Sequence, residues 1–312
     1  MRDKSSTQKI MRDVAIALVP TLGFGIYHFG LNAAIVTLVS IVSCILFEAL
    51  YELLAKKPIT IFDCSALVTG MIIAVNLPPT ATWWMAVLGS AFAIIAVKMF
   101  FGGLGQNFMN PALAGRCFLM ISFTQRMTNF AVDGVSSATP LAAMRNGETL
   151  DLMTLFIGNH AGTIGEVSAV AILIGAAYLV IKRVISLRIP FTYIISTIAI
   201  IALIRYIQSG SFEPVYLLSQ ALSGGLLVGA FFMATDYVTS PITKRGQYLF
   251  ALLIGLLTAL FRTLGSTAEG VSYAIIIGNM LVPLIERVTV PMPFGLERSK
   301  RIRKAKEGKA NG

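Results

Sequence analysis

LNAAIVTLVSIVSCILFEALYELL, residues 31–54, decides the class of fold. It carries no charge until Glu48 and Glu52 near its end. A helix of roughly 20 apolar residues crosses the hydrocarbon core of a bilayer. Similar runs flank it at 14–30, 62–77, 83–101, 107–123, 165–186, 190–208, 215–236, 247–264 and 268–286, so about ten spans are predicted. Hydrocarbon offers the backbone no hydrogen-bond partner, which leaves only helices or closed barrels. Barrel strands alternate polar and apolar residues, and these runs do not. Composition agrees: 56% of residues are hydrophobic and 13% charged, against roughly 25% charged in soluble domains.

Charge then suggests an orientation, because cytoplasmic loops collect Lys and Arg. With ten spans, both termini and the even-numbered loops share one side. The other side holds only Arg126, Arg145, Arg205 and Arg262, and Arg116 falls inside the fifth span. Every other Lys and Arg lies with the termini, so both ends are expected in the cytoplasm. The net charge of +10 reads as this topology signal rather than as a nucleic-acid surface. The basic tail fits anionic lipid. No cleavable signal peptide is expected.

Several chemistries find no support. Cys44, Cys64 and Cys117 form no CxxC pair, and His28 and His160 are far apart. Iron–sulfur, haem or zinc ligation by this chain alone is therefore not expected. No phosphate-binding loop of the GxGxxG or Walker type is present.

The chain divides into five spans over 1–123, a polar loop over 124–164, five spans over 165–288 and a basic tail over 289–312. Thr69-Gly70 leading to Asn76-Leu77-Pro78-Pro79 has a faint echo in Val228-Gly229 leading to Thr235-Asp236 and Ser240-Pro241. An odd number of spans per repeat forces opposite topologies, as in transporter cores; recurring small residues in helical membrane proteins would give a similar echo. Phe100–Arg116, FFGGLGQNFMNPALAGR, opens the fifth span with three glycines. Pro111 is expected to break that helix from within. Asn107, Asn110 and Arg116 sit where lipid penalises polarity, Arg by roughly 2.5–3.5 kcal/mol; they serve either a ligand or interhelical packing. Asp63 and Asp236, at the edges of the third and eighth spans, are candidates for an ion path or are anchors in headgroup water.

The loop holds Asp133-Gly134-Val135-Ser136-Ser137-Ala138-Thr139-Pro140, small residues around an exposed hydroxyl. This D-G-V-S-S-A-T run resembles the D-x-x-[ST]-[GS]-A-T signature at which a flavin transferase joins FMN to threonine. Ser137 stands where relatives often have glycine, and it is also small. FGGLGQNFMNPALAGR (101–116) and FMATDYVTSP (232–241) resemble the same family. These motifs identify the chain as similar to the NqrB/RnfD family, and within it to the RnfD membrane component of the Rnf electron-transport complex. The NqrB component of the sodium-pumping NADH:quinone oxidoreductase is a close relative, but its long N-terminal extension is not seen here.

The resemblance implies an all-α integral membrane fold of two inverted five-helix repeats, akin to urea and ammonium channels. It implies covalent FMN on Thr139, with Asp133, Ser136, Ser137 and Ala138 in the recognition signature, and a second flavin such as riboflavin. Implied partners are the other Rnf subunits, the flavin transferase and the bilayer. The implied role is as one subunit of a bacterial inner-membrane translocase, incomplete alone, that couples ferredoxin oxidation by NAD to export of Na+ or H+. A channel of the same fold without redox chemistry is the rival reading. The topology is checked with single cysteines at Ser136 and Lys304: an impermeant thiol reagent outside intact cells should label the first and spare the second. Labelling of both would refute it.

Overall fold

The computed structural model describes residues 6–132, 135–136, 139–146, 151–210, 212–265 and 270–291. Five helices are long and apolar enough to cross a membrane: α1 (Thr7–Phe29), α2 (Leu31–Leu54), α10 (Arg188–Ser209), α13 (Lys244–Leu264) and α14 (Val271–Thr289). A sixth crossing is made if α11 (Pro214–Leu222) and α12 (Leu226–Met233), bent by 60° at the intervening break, count as one. Shorter apolar helices are α3 (Ser65–Asn76), α4 (Trp83–Met99), α5 (Pro111–Ser122) and α9 (Ala169–Ile181). The chain is thus a multi-pass membrane protein. In place of the uniform spans predicted, it has whole, bent and short helices. Between α5 and α9 lie three small helices, α6 (Thr124–Met127), α7 (Pro140–Arg145) and α8 (Leu152–Ile157). Strands β1 (Ala131–Val132) and β2 (Val135–Ser136) pair antiparallel, Ala131 opposite Ser136.

Local chemistry explains the boundaries. Ser6 caps α1, its hydroxyl accepting from Lys9 N at 3.3 Å. Gly30 alone separates α1 from α2, in a positive-φ conformation (φ 75°) that glycine adopts without a Cβ penalty. Asn110 caps α5, accepting from Ala112 N and Leu113 N, and Pro111 is the first helical residue. The expected internal break at Pro111 is therefore a helix start, where proline's missing N–H costs nothing.

α2 lies along α3 and α4, as α10 lies along α13; α1 packs on α9, and α5 touches α14. The close crossings need small residues: a Cβ on Gly175 would land on the Ala17 carbonyl, and one on Gly70 would come within 2.7 Å of Ile41 Cα. Residues 161–168, which the sequence pattern divides between loop and sixth span, are a buried non-helical segment. Ile164 N donates to Leu77 O at 3.0 Å and Gly165 N to Val75 O at 2.9 Å. These bonds satisfy carbonyls at the end of α3 that lipid could not.

Gly175→Val should destabilise the protein by about 1–3 kcal/mol through overpacking, read as a lower unfolding temperature in detergent. Gly23→Ala, whose Cβ would meet nothing within 4 Å, should leave it unchanged. Equal behaviour of the two variants would refute this packing.

Candidate functional site

At one end of the bundle the starts of α1, α3 and α5 meet the ends of α4, α9 and α12 around a cavity of about 80 Å³. Its polar lining includes Ser65, Lys98, Asn107, Asn110, Thr235 and Asp236, set among apolar side chains such as Ile72 and Phe231.

Two local distortions bring polar groups here. Cys64, at the N-cap of α3, adopts the left-handed conformation (φ 64°), uncommon for a residue with a side chain. The turn lets Asp63 Oδ1 accept from Ser65 N at 2.7 Å and Ser65 Oγ at 2.5 Å. From Phe92 onward, α4 widens into π-helical register, a feature often found at functional sites. Lys98, in that segment, is 2% exposed. Its ammonium donates to Glu48 Oε2 at 2.6 Å and to Ser65 Oγ at 2.6 Å. Glu52, also buried, accepts from Thr60 N at 3.0 Å and from the Thr60 hydroxyl, which also reaches Glu48 Oε1 at 3.4 Å. The chain Glu52–Thr60–Glu48–Lys98–Ser65–Asp63 thus holds three acids around one base.

Asp236 lies across the cavity and accepts from Val238 N at 3.3 Å and Thr239 Oγ1 at 3.1 Å. Asp63 and Asp236 therefore converge on one end. They are not equivalent along the chain, since Asp63 precedes α3 and Asp236 follows α12. Asn107 donates to Met109 O. Asn110 N donates to Asn279 Oδ1 at 3.3 Å, and Asn279 Nδ2 to Thr239 O at 2.9 Å, which joins α5, α14 and the Asp236 loop. Arg116 is separate from the cavity lining. It donates to Asn76 Oδ1 at 2.8 Å and Ser272 Oγ at 2.9 Å, tying α3, α5 and α14.

Thr139 lies at the other end. It is half-buried and caps α7, its Oγ1 accepting from Ala142 N at a long 3.4 Å. The extended backbone (φ −65°, ψ 155°) is what a following proline imposes. Ser136 ends β2; Asp133, Ser137 and Ala138 lie outside the described residues. α13 starts near the Asp236 loop and carries Arg262 beside α7 in its last turn. Lys244 to Arg262 at 1.5 Å per residue puts about 27 Å between the two ends.

Sequence reasoning missed several groups. Lys98 and Arg262, which read as loop charges, are buried side chains. Glu166, also buried, accepts from Thr163 Oγ1 at 3.0 Å and feels Arg116 and Arg262 electrostatically. The signal for Lys98 was its place within an apolar run.

Interrupted apolar helices packed around buried charges define a polytopic membrane protein of the kind that handles ions or electrons. The chain belongs to the NQR2, RnfD, RnfE family, whose pattern matches residues 1–295. It is 47% identical, over 98% of its length and 96% of the relative's, to the D component of the Na(+)-translocating ferredoxin:NAD(+) oxidoreductase complex of Acetobacterium woodii. It is 38% identical, over 96% of this chain and 95% of the relative, to the D component of the proton-translocating ferredoxin:NAD(+) oxidoreductase complex of Clostridium ljungdahlii. Identity to the corresponding component of an ion-translocating oxidoreductase complex of Escherichia coli is 33%, over 94% of this chain and 96% of the relative.

Removing one partner of a buried ion pair leaves the other uncompensated, at about 3–5 kcal/mol. Lys98→Met and Glu48→Gln should each lower the yield of folded protein, and the double variant should recover part of it. A double variant as poor as the sum of the singles would show that the pair is not coupled.

Proposed function

We propose that this chain is the membrane subunit of an ion-translocating ferredoxin:NAD oxidoreductase complex, and that Thr139 carries FMN through a phosphoester. The observation that carries the reading is Thr139 itself. It stands at the end of the D-G-V-S-S-A-T signature in a chain of this family. Thr139 is half-buried and its hydroxyl accepts one long hydrogen bond, so an ester there displaces little. The residues present fit the group: small neighbours precede Thr139, and Pro140 fixes the backbone on its other side. When bound, FMN supplies one- and two-electron exchange. The chain's own part is to hold and orient it at the end of the bundle opposite the cavity. A riboflavin would be a second, separately held group.

The architecture we infer is ten helices in two inverted five-helix repeats, in the bacterial inner membrane with both termini cytoplasmic. Supporting it, the α2–α4 and α10–α13 pairs match. Cys64 (φ 64°, ψ 9°) before α3 and Gly225 (φ 66°, ψ 10°) before α12 share the same left-handed backbone conformation. A basic residue near the end of the fourth helix of each half, Lys98 or Arg262, reaches the matching break. Thr139 then faces outward and the cavity inward. Other Rnf subunits would hold the ferredoxin and NAD sites, and a flavin transferase would attach FMN from the non-cytoplasmic side. Asp63 and Asp236 are the proposed ion-handling acids, for Na+ or H+.

Thr139→Ala should abolish flavin fluorescence of the denatured band while the protein stays in the membrane, and Asp133→Ala should weaken it. Fluorescence at the wild-type level would refute attachment at Thr139. In vesicles, Asp236→Asn and Asp63→Asn should move fewer ions per electron passed from ferredoxin to NAD; an unchanged ratio in both would remove these acids from the path.

A further inference from the structure

α7 is six residues long and too short to stand alone. Two contacts seat it at the break between α11 and α12, and a third ties it to the end of α13. Leu141 fills the space over Gly224, where a Cβ would collide with its side chain. Met144 S accepts from Gln220 Nε2 at 3.9 Å. Arg145 Nη2 donates to Arg262 O at 2.9 Å and Phe261 O at 3.5 Å. Arg262 continues the line inward. Its Nη1 donates to Gln220 O at 2.6 Å and Gln220 Oε1 at 3.3 Å, and its Nη2 to Ser223 O and Gly224 O, both at 2.9 Å.

Arg262 is 5% exposed, and the one ion pair among the described residues is Lys98–Glu48. Its guanidinium is spent on the carbonyls that the end of α11 leaves open, a task suited to a rigid fork of donors. Those carbonyls flank Gly224 and Gly225, both left-handed (φ 67° and 66°), the point where the span bends. Beyond them α12 leads, three residues past its end, to Asp236. Chains absorb large backbone rotations at a few such residues.

We propose that Arg145 and Arg262 form a strut that locks the helix beginning at Thr139 to the Gly224–Gly225 hinge, so that Thr139 and Asp236 are the two ends of one lever. The strut would carry displacement between the outer site and the cavity without a continuous charge path between them. As a statement about flavin coupling it rests on the reading that Thr139 carries FMN; as a statement about mechanics it does not.

The test uses the intact membrane complex and separates the two. Amide hydrogen exchange is measured with Arg262→Lys, which keeps the charge and loses the fork, and with Arg145→Ala, an exposed position whose loss should not prevent folding. Arg262→Lys should speed exchange about tenfold or more both at 223–225 and at 141–145. Arg145→Ala should do so at 141–145, and Arg145→Lys should restore most protection. In vesicles Arg145→Ala should keep the flavin fluorescence of the denatured band and at least half of the electron flow, while ions moved per electron fall at least twofold. If Arg262→Lys loosens the hinge and leaves α7 protected, the strut is refuted. If α7 loosens and the ion-to-electron ratio is unchanged, the lever is refuted. If wild-type protein lacks covalent flavin, the attachment reading fails, and the exchange data still decide the strut.

Discussion

Every interruption of a helix within a membrane leaves carbonyls and amides that lipid cannot satisfy. The chain meets this constraint at several of its breaks. The end of α3 is covered by Ile164 and Gly165 amides. The turn beyond it is held by Asn32, whose side-chain nitrogen donates to Pro79 O at 2.5 Å and Ala81 O at 3.2 Å. The start of α5 is closed by Asn110 and the end of α11 by Arg262. Polar residues that look misplaced in an apolar sequence are therefore the conditions for having short helices at all, and short helices are what open space for a cavity.

The buried charges divide by task. Arg116 and Arg262 donate to neutral oxygens and so join helices, with the buried Glu166 near enough to both to be felt electrostatically. Lys98 pairs with Glu48 beside the cavity, where two further acids, Glu52 and Asp63, are reached through Thr60 and Ser65. A hydrophobic pair would have served packing as well or better. Charge retained beside a cavity suits a site that must respond to charge.

The fold class was legible because runs such as 31–54 need no context to be read. The breaks were not. Ser223-Gly224-Gly225 sits within a run whose average apolarity hides a 60° bend. Asn110-Pro111 carries the signature of a helix start, but an expected span beginning at 107 makes Pro111 look internal. Lys98 reads as a loop charge because charge in an apolar run normally marks a span's end; its partner Glu48 is fifty positions away and only the fold brings them together. Thr139 stands out through its resemblance to a known signature. Nothing in its local chemistry separates it from an ordinary loop threonine, and the contact of its helix with the α11–α12 break is wholly tertiary.

The π-helical stretch at Phe92–Met99 has an evolutionary reading. A wide turn holds one residue more than an α-turn, which is the footprint of a single-codon insertion. Deleting one residue there would close the wide turn and shift the Lys98 ammonium, which lies inside it, relative to Glu48 and Ser65. In an alignment of related genes this segment should therefore resist gaps more strongly than its plain apolar residues suggest, with length rather than identity under selection.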